Sequence, residues 1–129
     1  MDAVKIYVDG SSIGNPGDSG IGVVVVNGEV KEYSKKIGKA TNNVAELTAV
    51  KYAIEKIGDK NKEIYIYTDS QYVIGMLSLN WVAKANQKLI REIKEFIKDY
   101  KVTFIKVSGH SSDEYNRLAD KLAYDAASS

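Results

Sequence analysis

Two short segments of this sequence each bring an alternating apolar stretch to an aspartate: Tyr7-Val8-Asp9 and Tyr67-Thr68-Asp69. Side chains two apart on a strand share a face, so each aspartate projects on the same side as its tyrosine. If the two strands are neighbours, with Asp9 and Asp69 at their ends, the carboxylates stand roughly 5 to 6 Å apart at their backbones. Anions that close repel, and one takes a raised pKa unless a cation sits between them. Mg2+ suits that place, because it is held by one or two carboxylates together with substrate phosphates. Either aspartate alone has a plainer explanation, since Asp-Gly and Asp-Ser often cap the loop or helix that follows. The pairing is what points to a site.

Glu46 falls in the first turn of a helix that follows the loop 39–42. An acid there complements the helix dipole. Its neighbours Val44, Ala45, Leu47, Ala49 and Val50 are largely apolar, however, and a glutamate among them is placed to face a site. Asp120 lies between Ala119 and Lys121, four residues after Asn116 and therefore on the same helix face. By itself it reads as a surface acid. His110 is the only histidine, in the polar run Ser108-Gly109-His110-Ser111-Ser112. A lone histidine is commonly a surface or capping residue.

The elements that must position these groups follow from periodicity. Val4, Ile6 and Val8 alternate with Lys5, Tyr7 and Asp9, the period-two pattern of a strand. Ser11 to Gly17 reads as a loop. Gly20 to Val26 is a second strand, Asn27-Gly28 a tight turn, and Glu29 to Ile37 a third strand. Asn42 or Asn43 can cap a helix to Ile57, with Val44, Leu47, Val50, Ile54 and Ile57 at helical spacing and Gly58 at its end. Ile64 to Thr68 is a fourth strand, followed by a helix from about Ser70 to Leu79. A third helix covers about Asn86 to Tyr100, with Leu89, Ile90, Ile93, Phe96 and Ile97 on one stripe. Val102 to Val107 is a fifth strand and Asp113 to Ala127 a final helix. The order βββαβααβα fits one mixed sheet flanked by helices, an α/β arrangement. Strand four lies parallel to strand one, because a helix crosses between them. The sheet order 3-2-1-4-5 is expected.

Composition sets the frame. The 129 residues make one domain with room for a single core. With 44% hydrophobic and 27% charged residues the chain is ordinarily globular. The absence of cysteine excludes disulfides and thiolate zinc sites. No apolar run approaches the roughly 18 to 20 residues that span a bilayer. The N-terminus carries neither the basic region nor the apolar stretch of a signal peptide, so a cytoplasmic location and no membrane partner are expected. The net charge of +1 is weak for a nucleic-acid binder.

The ordered set of motifs resembles type 1 ribonuclease H. The blocks are Asp9-Gly10-Ser11 with Gly14-Asn15-Pro16-Gly17, Thr41 to Leu47, Thr68 to Val73, and Ser108-Gly109-His110 with Asn116 to Asp120. They occur in the family's order and cover essentially the whole chain. The resemblance implies the ribonuclease H-like fold and a metal-dependent endonuclease acting on the RNA strand of RNA–DNA hybrids. It implies that Asp9, Glu46, Asp69 and Asp120 hold two Mg2+ ions, with Mn2+ as a substitute and Asp9 as the bridging ligand. Two such ions roughly 3.5 to 4 Å apart clamp an in-line displacement at phosphorus, leaving a 5′-phosphate and a 3′-hydroxyl. His110 matches the family's mobile histidine, which assists proton transfer or product release. The residues themselves lead only to clustered acids and a required cation, not to a count of two.

A hybrid nuclease has to sense 2′-hydroxyls, which both donate and accept, so amides and backbone groups suit the task. Asn15, Asn42, Asn43 and Gln71 flank the acids at the family's matching positions, although turn and cap chemistry also accounts for the asparagines. Gly10 and Ser11, and Asn116 beside Asp120, belong to the same expected substrate surface, and Gly10, Gly14 and Gly17 allow close approach to a groove. Lys39 and Thr41, with Asn15 nearby, match the family's pocket for a DNA-strand phosphate.

Many relatives carry a lysine-rich protrusion where this chain has only Leu79-Asn80-Trp81-Val82-Ala83-Lys84-Ala85. Fewer phosphate contacts are therefore expected, with modest affinity and a shallow salt dependence. Trp81 can lie against a sugar or pack under its own loop. Without a separate hybrid-binding domain, low processivity is expected, and the chain is expected to act as a monomer. Two alternatives stand beside this reading: a catalytically silent nucleic-acid binding module, and a related nuclease that also cuts double-stranded RNA. The silent module predicts the loss of an acid, whereas all four positions are filled.

Overall fold

The structure, a computed structural model, describes residues 3–108 and 113–129. Strands β1 (Ala3–Ile13), β2 (Gly17–Val26) and β3 (Val30–Ala40) form an antiparallel meander. Helix α1 (Asn42–Ile57) crosses to β4 (Glu63–Thr68), which pairs with β1 in parallel. Then come α2 (Gln71–Leu77), α3 (Gln87–Ile97), β5 (Lys101–Lys106), parallel to β4, and α4 (Glu114–Ala127). The sheet order is β3-β2-β1-β4-β5, as the alternation and the crossover predict. No described helix is long and apolar enough to cross a membrane.

The sheet is covered on both faces. Val4, Ile6 and Val8 of β1, Ile21, Val23 and Val25 of β2, and Ile64 and Ile66 of β4 pack against α1, α2 and α3 in the main core. The other face carries Tyr7, Val24 and Tyr67, with Ala119, Leu118 and Leu122 of α4 laid over them. A central strand covered on both faces loses the polar-out half of its alternation, and β1 is buried without a break from Ile6 to Gly10.

Most boundaries shift by one to three residues from the sequence reading, and those nearest the acids matter most. β1 stays paired with β2 as far as Ile13 opposite Asp18, so Asp9 stands within the strand and not at its end. The polar, glycine-rich run after it looked like a loop because it lies at the sheet's rim. The cap of α1 is Thr41, not Asn42 or Asn43: its backbone is extended (φ −82°, ψ 163°) and its side chain accepts from the Val44 N–H. With the helix starting at Asn42, Glu46 is its fifth residue, beyond the first turn where the dipole would reward an acid. Finally, Ser70 and Asp113 lie outside α2 and α4 as their caps.

Candidate active site

The site is centred on Asp9, which β1 holds opposite Gly22 of β2 and beside β4, whose Tyr67 is in register with Tyr7. Two glycines let helices reach it. A Cβ on Gly10 would lie 2.3 Å from the carbonyl carbon of Ala45, so α1 rests its backbone directly on β1. A Cβ on Gly22 would lie 2.2 Å from the Ala119 carbonyl oxygen, so α4 does the same on β2. At both positions any larger residue would push a helix, and its acid, away from Asp9.

Across the first contact, the Gly10 N–H donates to Glu46 Oε1 at 2.7 Å. Glu46 is thus a buried acid with a fixed partner. Carboxylate oxygens of Asp9, Glu46 and Asp69 all lie within 4.8 Å of one another. Asp9 is 4% exposed and Glu46 7% exposed, while Asp69 is half-buried.

Burial, and then the Glu46 charge, push the Asp9 carboxyl far above the usual carboxylate range, and Asp9 donates a hydrogen bond to Glu46. Burial likewise raises Glu46 to about 7, opposed by the hydrogen bonds from Asp9 and from the Gly10 N–H. Asp69 is raised by burial and by the Asp120 charge, and lowered by a hydrogen bond from Asn116 and by the charge of Lys106. Three crowded acids, each raised above its ordinary value, form a site in want of positive charge. An all-oxygen, carboxylate donor set is what Mg2+ and Mn2+ take, so these residues fit the implied metal.

Asp120 stands at the rim. It is exposed on α4 and hydrogen-bonded to Asp9, outside the tight trio. Asn116, one turn earlier, is 4% exposed and aimed at Asp69, which accounts for a buried amide on an otherwise alanine-lined face. Two groups escaped the sequence reading. Lys106 closes β5 in register with Thr68, and its charge reaches Asp69. Tyr7, under the cluster, has a hydroxyl raised to about 12, first by burial and then by Asp113, to which it is hydrogen-bonded. The strand order alone could have flagged Lys106. The Tyr7 link to Asp113 had no local signal.

Asn15 Oδ1 accepts from the Asn42 N–H at 2.8 Å, tying the β1–β2 loop to the start of α1. Thr41 Oγ1 accepts from the Val44 N–H at 3.2 Å, which leaves the Asn42 and Asn43 side chains without a capping role. Lys39 is well exposed and 3.9 Å from Asp18, a weak surface pair. Gln71 is exposed as the first residue of α2, and Ser11 is half-buried on β1. Gly10 faces α1 and serves that contact. Trp81 packs its indole onto Gly75 of α2, its backbone N–H donates to the Gly75 carbonyl, and it remains 44% exposed. His110 lies outside the described residues.

A mixed β3-β2-β1-β4-β5 sheet, with acids from β1, α1 and the end of β4 gathered at one point, defines an α/β protein whose carboxylate cluster could hold a metal ion. The comparisons with known proteins agree on a narrower identity. The RNase H family model matches residues 1–128. The ribonuclease H of Acetivibrio thermocellus is 36% identical over 140 residues, covering 97% of this chain and 95% of that protein. Among solved structures, LC11-RNase H1, isolated from compost, superposes with a TM-score of 0.87 at 31% identity, covering 99% of this chain and 97% of that one. The same enzyme in complex with RNA/DNA hybrid superposes with a TM-score of 0.84 at 30% identity, covering 97% and 96%. The chain belongs to the ribonuclease H family, and is an enzyme of that kind.

Proposed function

We propose that this chain is a single ribonuclease H domain that hydrolyses the RNA strand of RNA–DNA hybrids, leaving 5′-phosphate and 3′-hydroxyl ends. The observation that carries the reading is the convergence of Asp9, Glu46 and Asp69 within 4.8 Å, with Asp120 hydrogen-bonded at the rim. These four carboxylates would hold two Mg2+ ions, or Mn2+ in their place. When bound, such ions neutralise the phosphate and activate water for in-line attack.

The chain's own groups do the rest. The Gly10 N–H and the Asn116 amide hold Glu46 and Asp69 in one orientation, so the acids are ready before substrate arrives. Lys106 adds a positive charge beside Asp69, where a phosphate oxygen would approach. Asn15, Asn42, Asn43 and Gln71 would meet the 2′-hydroxyls, to which their amides are suited. Ser11 would add to the substrate surface, with Lys39 and Thr41 serving a phosphate of the DNA strand, whereas Gly10 and Asn116, expected there from the sequence, are buried and serve the acids instead. His110 would move a proton or help the cut product leave. A monomer in the cytoplasm is the expected form.

The test is a panel of end-labelled substrates: hybrid, duplex DNA, single-stranded RNA and double-stranded RNA. The proposal predicts cutting of the hybrid's RNA strand only, with products that polynucleotide kinase can label at the 5′ end only after phosphatase treatment. Cutting of double-stranded RNA as well would keep the chemistry and widen the substrate. Hybrid binding that ignores metal, without cutting, would replace the enzyme with a silent binding module.

A further inference from the structure

Helix α4 sits on the sheet through a smooth face. Apart from Asn116, its buried side chains are Ala119, Ala123, Ala126 and Ala127. Beneath them lie glycines: a Cβ on Gly20 would be 2.5 Å from the Ala127 nitrogen, and one on Gly22 would be 2.2 Å from the Ala119 oxygen. Such a seat brings the helix backbone close, while Tyr115, Leu118 and Leu122 pack beside it on the Tyr7 and Val24 face. Asp120 is exposed, so its place at the site depends on where the α4 backbone is held.

The lock is at the helix's N-terminal end. The Tyr7 ring, 6% exposed, stacks on Tyr67 with centroids 4.5 Å apart and planes 14° from parallel. It also meets Tyr115 of α4 at 5.4 Å. Its hydroxyl donates to Asp113. Asp113 Oδ1 in turn accepts from the backbone N–H groups of Tyr115 at 2.9 Å and Asn116 at 3.2 Å. One carboxylate therefore ties β1 to the first turn of α4. Tyr7 precedes Asp9 by two residues on the same face, and Tyr67 precedes Asp69 likewise. The platform that holds the helix is built on the strands that carry the acids.

We propose that Tyr7, seated on Tyr67 and bonded to Asp113, is a positioning residue that fixes where α4 presents Asn116 and Asp120 to the carboxylate cluster. This rests on reading that cluster as the metal-binding site of a ribonuclease.

Tyr7→Phe keeps the ring and removes the hydroxyl. Mg2+ titrations of the substrate-free protein, followed through the amide resonances of Asn116 and Asp120, give a readout that mere loss of stability does not move. Tyr7→Phe should shift both resonances, weaken Mg2+ binding about tenfold, and raise the Mg2+ needed for half-maximal cleavage in step, with little change in KM for hybrid. Unmoved resonances and unchanged Mg2+ affinity in Tyr7→Phe would overturn the proposal, whatever happens to its Tm. A wild-type protein that leaves hybrid uncut would instead sink the ribonuclease reading. The resonances and Mg2+ affinity of Tyr7→Phe would still decide the role of Tyr7.

Discussion

The Gly10 N–H donates to Glu46 Oε1 at 2.7 Å, and the bond exists only because residue 10 has no side chain. A Cβ there would also lie 2.4 Å from the Glu46 backbone nitrogen, so the position that orients the acid also lets its helix approach. Strand and helix meet backbone to backbone at the residue after Asp9.

Gly10→Ala follows directly. The methyl would force α1 outward, costing about 1 to 3 kcal/mol of stability as overpacking does. Glu46 would be displaced with the helix, so cleavage should fall further than the lost stability explains. Urea unfolding and single-turnover cleavage on the same preparation separate the two effects. A variant as stable and active as wild type would contradict the contact.

The protonation of the cluster predicts an unusual pH dependence for the metal-free protein. Asp9 and Glu46 have raised values in the folded state, so above their ordinary values of 3.8 and 4.5 the folded chain holds protons that the unfolded chain has shed. Stability then falls as pH rises, by about 7 for Glu46 and onward for Asp9. In EDTA the Tm should drop between about pH 5 and about pH 8, and Asp9→Asn should flatten that slope. Mg2+ should raise the Tm more at the upper end, where the acids are readier to bind it. A Tm that climbs with pH through this window would count against the shared-proton cluster.

Much of this was legible in the sequence, and the exceptions have physical causes. Periods of two and 3.6 residues located every strand and helix, and the crossover at α1 set β4 beside β1. The acids Asp9 and Asp69 followed from that adjacency. Thr41, Asn42 and Asn43 all have capping chemistry, so the true cap depended on where β3 releases the chain, which is tertiary information. The tasks of Gly10 and Gly22 were hidden because a glycine does not announce which backbone will lie against it. Tyr7 and Asp113 meet only once the sheet is assembled and α4 is laid on it.

The cap gives a discriminating pair. Thr41→Ala removes the acceptor for the Val44 N–H and should cost about 1 kcal/mol. Asn43→Ala, exposed and outside the cap, should change stability by less than about 0.5 kcal/mol. Chemical denaturation of both variants checks this, and the reverse ranking would return the capping role to asparagine.

The carboxylate cluster is proposed to cut RNA in a hybrid by holding metal. The most direct measurement is single-turnover cleavage of a hybrid labelled on its RNA strand, by wild type and Asp69→Asn, with Mg2+ and with EDTA. Cleavage by wild type in Mg2+ alone, abolished by EDTA and in Asp69→Asn while the variant keeps its fold, is the predicted result. Cleavage that survives EDTA, or an Asp69→Asn protein that cuts at the wild-type rate, would contradict it.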